Sequence, residues 1–593
     1  MTPLELLRRE MSLLNVDAVI VPSNDTHFSE YVPSHFKCRG WLTGFDGSAG
    51  TAVVTQSAAV LFTDSRYFLQ AEAQLHKGFT LQKMGLPDSI SIVDFIGQQA
   101  KSGTVGVNAS LYSATDYAQL EKELQPLVLK NIGDVFAKIW ADRPPFPDNK
   151  AFLLDTAFAG KTIAEKLTAI KEQLQPTAHS VYVVTALDQV AWLLNLRGGD
   201  IAYTPVALAF AIIDWDNNNI ILFIDRQKLI PDVLQQLESQ QVAIENYADF
   251  EHKLPHFVKG KTAVFHPQFT SHSAAQIIQQ NAQRATPEPV VVPCINALKA
   301  QKNDVEIAGV RQAMIYDGAA WVKFWHWLDK TIDTQQVTEI SAAEKLRQFR
   351  AEMPHFLDES FAPIIGFGAH GAIVHYSATP VSNVKLTRDN FVLIDTGAQY
   401  SLGTTDITRT LHFGTPSAQQ KTDYTLVLKG HICLSAAIFP EGTRGAQLDM
   451  LARQFMLQRH LHYMHGTGHG VGHCLGVHEG PQSIRLNENP AVLQKGMITS
   501  CEPGLYRTNQ YGIRIENLVL TTDSGNNEFG NFYRFETLSL CPYALNCVDL
   551  SLLNAQETAF INHYHSIVRE KLSPLLNNEE RAFLEEKILM NSE

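Results

Sequence analysis

The sequence predicts an α/β protein of several domains, and three observations carry that prediction. The chain has 593 residues, too many for one core at roughly 150 residues per domain. Two proline-rich breaks cut it into segments. In the first two segments, short β-branched runs alternate with helix-patterned stretches, as in mixed α/β units.

The first break is Asp142-Arg143-Pro144-Pro145-Phe146-Pro147. Proline lacks the amide donor and restricts the residue before it, so this stretch is neither helix interior nor central strand and reads as a linker. The second lies between Pro287 and Lys302, where Pro287, Pro289 and Pro293 precede a new helix. Asn303 caps that helix with Glu306 three residues on, and Ile307, Val310, Met314, Trp321 and Trp325 supply its apolar side chains. The domains are therefore 1–145, 146–298 and 299–593.

At the start of the chain, Thr2-Pro3-Leu4-Glu5 is a capping box, and Leu4, Leu7, Met11 and Leu14 then recur on one helical face. Glu5, Arg8, Arg9 and Glu10 interrupt any signal-peptide apolar stretch. The longest apolar run, Val206 to Ile213, falls far short of a span of about 20 residues and reads as a buried strand. Seven scattered cysteines without a CxxC pair form neither a disulfide framework nor a zinc knuckle, so reduced thiols and a cytoplasmic protein are expected. Acidic side chains exceed basic ones, 61 to 48, which argues against nucleic acid as a partner.

The first two segments share a faint repeat. Val19-Ile20-Val21, then Trp41-Leu42-Thr43-Gly44, then Leu61-Phe62-Thr63-Asp64-Ser65-Arg66 is echoed by Val181-Tyr182-Val183-Val184, Trp192-Leu193-Leu194-Asn195-Leu196-Arg197-Gly198 and Leu222-Phe223-Ile224-Asp225-Arg226. A duplicated α/β domain and a chance likeness between two α/β segments both account for it.

Candidate ligands concentrate in the third segment. Phe391-Val392-Leu393-Ile394-Asp395 is an apolar strand ending in a carboxylate, and Thr404 to Thr410 is a returning strand carrying Asp406. With the reversal near 400–403, Asp395 and Asp406 project from one face of the hairpin, opposite or diagonal to each other. Such carboxylates either share a proton or cation or are solvent-facing strand ends. His465-Gly466-Thr467-Gly468-His469-Gly470-Val471-Gly472-His473 is either a flexible loop or a close backbone approach offering imidazoles to a metal. There is no HExxH helix, since His478-Glu479 runs into Gly480-Pro481-Gln482. Glu502 ends another apolar run against Pro503-Gly504. In the alternating Gly512 to Val519 stretch, Arg514 and Glu516 share a face, as an exposed salt bridge or as part of a site. Together Asp395, Asp406, His469, Glu502 and Glu516 give four carboxylates and one imidazole, a donor set suited to a dinuclear Mn, Co or Zn centre.

These motifs, in order, resemble those of the pita-bread metallopeptidases. Phe45-Asp46-Gly47-Ser48-Ala49-Gly50-Thr51-Ala52, Thr63-Asp64-Ser65-Arg66-Tyr67-Phe68-Leu69-Gln70 and Val477-His478-Glu479-Gly480-Pro481 resemble the three-domain, cytosolic-type Xaa-Pro aminopeptidases (aminopeptidase P) within that superfamily. The likeness runs from about residue 15 to 575. It implies two creatinase-like N-terminal α/β domains, then a pita-bread catalytic domain with internal pseudo-twofold symmetry and a C-terminal helical extension from about 545. It implies hydrolysis of the N-terminal Xaa-Pro bond of peptides by a water activated between two divalent ions per subunit, Mn2+ first and Zn2+ or Co2+ as alternatives. It also implies a homodimer.

By the same resemblance, the five donors are the metal ligands and Glu502 accepts the water's proton. His375, in Ala372-Ile373-Val374-His375-Tyr376, and His465 and His478 bind substrate or handle protons, Arg39 reaches the substrate, and Arg514 orients ligands from behind. Cys501 and Cys474 depart from the family pattern at positions that are not ligands. Three rivals remain: a prolidase-like Xaa-Pro dipeptidase, a methionine aminopeptidase, and a pita-bread module that binds peptides without cutting them. The amphipathic tail from Ser551 to Glu593, with Phe560, Ile561, Ile567, Val568 and Leu572, is expected to cover the catalytic domain.

Overall fold

The computed structural model describes residues 1–99, 102–288 and 292–589. Pro289 of the second break and residues 590–593 of the tail lie outside them. The chain divides into an N-terminal unit, Met1–Leu153 with Ile163–Pro293, and a C-terminal unit, Leu154–Thr162 with Cys294–Glu593.

The N-terminal unit opens with the helix Pro3–Leu14, whose Thr2–Glu5 capping box forms and whose Leu4, Leu7 and Met11 are buried. Its first sheet comprises β1 (Ala18–Val21), β2 (Thr51–Thr55), β3 (Ala59–Thr63), β4 (Thr80–Lys83), β5 (Thr104–Val107) and β6 (Val128–Asn131). They lie in the order β4-β3-β2-β1-β5-β6. The second comprises β7 (Ser180–Val184), β8 (Ala209–Asp214), β9 (Asn219–Ile224), β10 (Val242–Glu245), β11 (Thr262–Phe265) and β12 (Arg284–Pro287), in the order β10-β9-β8-β7-β11-β12. The orders correspond strand for strand. So do the directions: the β1–β2, β2–β3, β7–β8 and β8–β9 pairs are antiparallel and the others parallel. A chance likeness of motifs does not reproduce a mixed six-strand topology, so the repeat is a duplicated domain.

The predicted linker carries no helix or strand. It is held by His35 Nδ1 to the Pro144 carbonyl (2.8 Å) and by Arg143 Nε to the His35 carbonyl (2.7 Å). The apolar run ends in β8, while Val206–Leu208 is buried ahead of it. No helix among the described residues is long and apolar enough to cross a membrane.

The C-terminal unit repeats one pattern: a helix pair followed by antiparallel strands. Helices α1 (Asp304–Thr331) and α2 (Glu339–Ala351) precede β13 (Phe356–Glu359), β14 (Ile364–Phe367), β15 (Phe391–Thr396), β16 (Ala398–Tyr400), β17 (Gly403–Thr404) and β18 (Ile407–His412). Helices α3 (Ala418–Ser435) and α4 (Gly445–Leu457) precede β19 (Ile438–Pro440, between the two helices), β20 (Gly468–His469), β21 (Ser483–Ile484), β22 (Ile498–Cys501), β23 (Gly504–Arg507), β24 (Tyr511–Arg514), β25 (Asn517–Asn527) and β26 (Gly530–Thr537). The strands form small sheets, β13-β16-β17, β14-β15-β18, β19-β26-β25-β22, β20-β21 and β23-β24.

The Asn303–Glu306 capping box starts α1, whose Trp321, Phe324 and Trp325 pack in one core with Ile394, Ile513 and Tyr543. The tail helices α5 (Ala555–Leu572) and α6 (Asn578–Ile588) close that core with Ile561, Val568, Leu572, Phe583 and Leu584, while Phe560 and Ile567 are only partly buried against it.

Residues 154–162, expected in the middle segment, fold with the C-terminal unit. Asn303 Nδ2 donates to the Ala159 carbonyl (3.0 Å), His473 Nε2 meets the Phe158 carbonyl (3.0 Å), and Leu154 and Ala159 pack on Cys474. Cys474 is thus a packing residue, as is Cys501, which lies buried against His431 and Ser435.

Candidate metal centre

The hairpin from β15 to β18 sets two of the carboxylates. Asp395 pairs across the strands with Thr408, and Tyr400 pairs with Gly403 at the reversal. Asp406, in the gap between β17 and β18, is therefore diagonal to Asp395. Gly397 makes the close approach possible, since a Cβ there would lie 2.1 Å from the Thr405 carbonyl oxygen. His469 follows from β20, Glu502 stands between β22 and β23, and Glu516 between β24 and β25.

These side chains converge. Donor atoms of Asp406, His469 and Glu516 lie within 4.8 Å of one another. His469 Nε2 is 3.4 Å from Asp406 Oδ2 and 3.6 Å from Glu502 Oε1. His469 Nδ1 donates to the Gly470 carbonyl at 3.0 Å, which turns Nε2 toward the acids; without a cation that nitrogen carries a proton toward Asp406, and a metal would take the proton's place. Thr408 Oγ1 donates to Glu516 Oε2 at 2.7 Å and Ser500 Oγ to Glu502 Oε1 at 3.4 Å.

Crowding four acids in a buried site costs free energy, and the titrations show where. Burial pushes the Asp395 carboxyl up, against the pull of Arg514. Burial lifts Glu502 to about 7 although His469 and Arg514 oppose it, and lifts Glu516 further with the charges of Asp406, Glu502 and Asp395. Burial works against the imidazolium of His469, but the Asp406 hydrogen bond and the Glu502 charge outweigh it and raise the group to about 9. Glu502, Glu516 and His469 thus hold protons more tightly than free groups do, where a cation would relieve the repulsion. Asp395 Oδ1 and Asp406 Oδ1 are buried with no hydrogen-bond partner, a costly state unless something electropositive meets them. Oxygen-rich donors with one nitrogen, and two orphaned carboxylate oxygens, fit a pair of divalent cations.

Beside the acids runs a chain of hydrogen bonds. Arg514 Nη2 donates to Asp395 Oδ2 (2.5 Å) and Arg514 Nη1 to Tyr506 Oη (2.7 Å). His465 Nδ1 donates to the Gly466 carbonyl (2.8 Å), so its Nε2 accepts the Tyr506 hydroxyl (2.8 Å). Burial and the neighbouring Arg514 push His465 down to about 3, so it is a neutral acceptor. His478 stands exposed with its ring 4.4 Å from that of His469 and nearly perpendicular to it. His375 is exposed and close enough to His465 for the two rings to feel each other's charge. Arg39 belongs to the N-terminal unit. It is buried under the Phe45 ring, 4.7 Å from its centroid, and donates to the Gly47 carbonyl, leaving Nε and Nη1 without partners.

Comparison with known proteins gives the lineage. The model of Metallopeptidase family M24 matches residues 308–523 and that of the C-terminal region of this peptidase family 531–589. The Creatinase/Prolidase N-terminal domain matches twice, at 3–139 and 142–306. A probable Xaa-Pro aminopeptidase P of Coprinopsis cinerea is 41% identical over 98% of this chain and 96% of its own. The chain belongs to metallopeptidase family M24. Another relative, Aminopeptidase P2 of Arabidopsis thaliana, is 38% identical over 95% of this chain and 84% of its own. Among solved M24 structures, an X-prolyl aminopeptidase of Caenorhabditis elegans, described as a cytosolic enzyme with a di-nuclear active site, superposes with a TM-score of 0.91. It is 33% identical and covers 99% of this chain and 100% of that one.

In this M24 site the salt bridge open to Arg514 and Glu516 does not form: Arg514 pairs with Asp395 and Glu516 with Thr408. The two share a face, but Glu516 lies past the end of β24, where the chain turns toward β25. Sequence reading missed Tyr506. Its signal was the β23–β24 hairpin register, which sets Tyr506 opposite Gly512 and diagonal to Arg514.

Proposed function

We propose that this M24 chain is a metal-dependent Xaa-Pro aminopeptidase, removing the N-terminal residue from peptides with proline second. The convergence of Asp406, His469 and Glu516, with Glu502 beside His469, Asp395 within reach of their charge and orphaned oxygens on Asp395 and Asp406, carries the reading. Full-length likeness to Xaa-Pro aminopeptidases supports it. These five residues hold two divalent cations, with Mn2+ the working ion. Bound there, the cations supply Lewis acidity toward a carbonyl and lower the pKa of water.

The protein's own groups do the rest. Glu502 accepts the proton of the attacking water. Exposed His375 and His478 meet the substrate and stabilise the oxyanion by hydrogen bonding. His465, held by Tyr506, keeps a neutral imidazole at the edge of the site. Arg514 fixes Asp395 and balances its charge. A proline amide presents no N–H and a fixed φ, so a cleft that reads an extended strand rejects it while a ring-shaped pocket selects it. Arg39 is assigned to substrate binding, and Arg39→Ala is expected to raise KM more than it lowers kcat.

The chain is organised as 1–145, 146–298 without the residues 154–162 that fold with the C-terminal unit, and 299–593; it acts as a homodimer and works in the cytoplasm. Sedimentation and fractionation test the last two. Replacing Asp406 by Ala is expected to abolish metal-dependent hydrolysis of an Arg-Pro-Pro peptide. Wild-type turnover by that variant after titration with Mn2+, Co2+ and Zn2+ sinks the reading. A prolidase is not favoured by the relatives, and turnover of Xaa-Pro dipeptides alone would reverse that preference.

A further inference from the structure

The loop that carries His375 runs from the end of β14 to Leu386, and beyond the short helical turn Gly368–Ala372 it has no regular structure of its own. One buried side chain holds it. Glu339 is the first residue of α2, with Thr338 as its cap, and its side chain is wholly buried. A helix N-terminus favours a carboxylate there. Four donors converge on that carboxylate, all from this loop or its root. Phe367 N–H (2.9 Å) and His370 Nδ1 (2.8 Å) meet Oε1; the Tyr376 hydroxyl (2.8 Å) and Val384 N–H (3.3 Å) meet Oε2. One carboxylate thus ties the beginning, middle and end of the loop to a single point on a helix.

Tyr376 is the middle tie and directly follows His375. The Tyr376 ring is buried and stacks on His370, 4.5 Å between centroids, while its hydroxyl also meets Ser382 Oγ at 3.1 Å. His375, one residue earlier, is exposed. The chain at this point is pinned on one side and presents an imidazole on the other.

We propose that Glu339 is a positioning residue that acts through Tyr376 to hold His375 in its working place. The inference rests on the reading of His375 as a substrate-facing histidine. Glu339 itself touches neither ligand nor substrate position, and a carboxylate taking four donors has no lone pair to spare for one.

Two measurements on the metal-loaded full chain test it. Hydrogen–deuterium exchange of the 368–384 region is expected to speed up in Tyr376→Phe, which keeps the ring and removes only the hydroxyl, and more so in Glu339→Gln. Both variants are expected to retain wild-type metal content. On an Xaa-Pro tripeptide each is expected to lower kcat/KM by about tenfold, but by less than about twofold in a His375→Ala background, because residues acting through one another do not add. Tyr376→Phe alone decides the matter if Glu339→Gln does not fold. Unchanged exchange, or losses that multiply fully with His375→Ala, overturns the proposal. Failure of the underlying reading looks different: wild type is inactive on the peptide, or His375→Ala is as active as wild type. Exchange then decides by itself whether Glu339 holds the loop.

Discussion

His431 lies directly behind the proposed metal ligands, and its titration makes the protein acid-sensitive in a calculable way. It is fully buried on α3. Arg409 Nη2 donates to Asn517 Oδ1 (2.8 Å), which fixes the Asn517 amide and points its N–H at His431 Nε2 (3.1 Å). His431 Nδ1 therefore carries the proton and donates to the Cys501 carbonyl (3.1 Å). A second proton at Nε2 would face that amide donor. Burial first, and then the charge of Arg409, push the group down to about 3 from its ordinary 6.5. The native state thus stays neutral where the unfolded state takes up a proton. This contribution is complete above pH 6.5 and is lost as pH falls toward 3. At 1.36 kcal/mol per pH unit for one proton, the loss from pH 6.5 to 5.0 is about 2 kcal/mol.

His431→Asn keeps a donor to Cys501 and removes the titration. Unfolding by urea, with metal chelated in both proteins, is expected to show the variant less stable at pH 8. The gap should close by about 2 kcal/mol between pH 6.5 and 5.0. A gap that stays constant across those values would refute the reasoning, since it would mean that His431 titrates alike in the folded and unfolded protein. The network matters beyond stability, because its anchor points, Cys501 and Asn517, are the chain neighbours of Glu502 and Glu516.

Loading the site with Mn2+ at pH 7 is expected to release protons, because His469 titrates at about 9 and Glu502 at about 7 in the metal-free protein. Calorimetry in buffers of different ionisation enthalpy should count at least about 1.5 protons, since Glu516 adds to these two groups, and a count near zero contradicts the assigned ligands. Gly468→Ala should weaken metal binding, because the new Cβ would meet the Ser500 carbonyl oxygen at 2.0 Å and push β20, with His469, off β22. Metal titration with circular dichroism as a folding control checks it, and wild-type affinity in a folded variant counts against this placement of His469.

Much of the fold was legible because it is written locally. The caps at Thr2 and Asn303 are three-residue signals and both form. The apolar run ending in Asp395 and the threonine-rich return to Thr410 predict a hairpin from composition and the turn between them, and the reversal falls where the turn residues lie. The duplication was only half legible, since motif likeness reports local conformation while strand order is a property of pairing. Side-chain partners were not legible at all. Arg514 finds Asp395 across 119 residues of sequence, and no spacing rule connects them. Glu339 gives no sign, at the start of an ordinary helix, that four donors from residues 367–384 will meet it. The move of residues 154–162 into the C-terminal unit was hidden for the same reason: Asn303 reads as a helix cap, and its second bond, to Ala159, is made by packing.

Three of the four converging carboxylates stand in the joints between small sheets, Asp406 before β18, Glu502 before β23 and Glu516 before β25. A joint residue is released from the alternation that commits every strand residue to one face or the other. Each acid can therefore be aimed independently, and a slip of one sheet against its neighbour misplaces one donor rather than all of them. Substitutions that pack these sheets differently would then alter the spacing between the donor groups gradually, while the residues themselves stay the same.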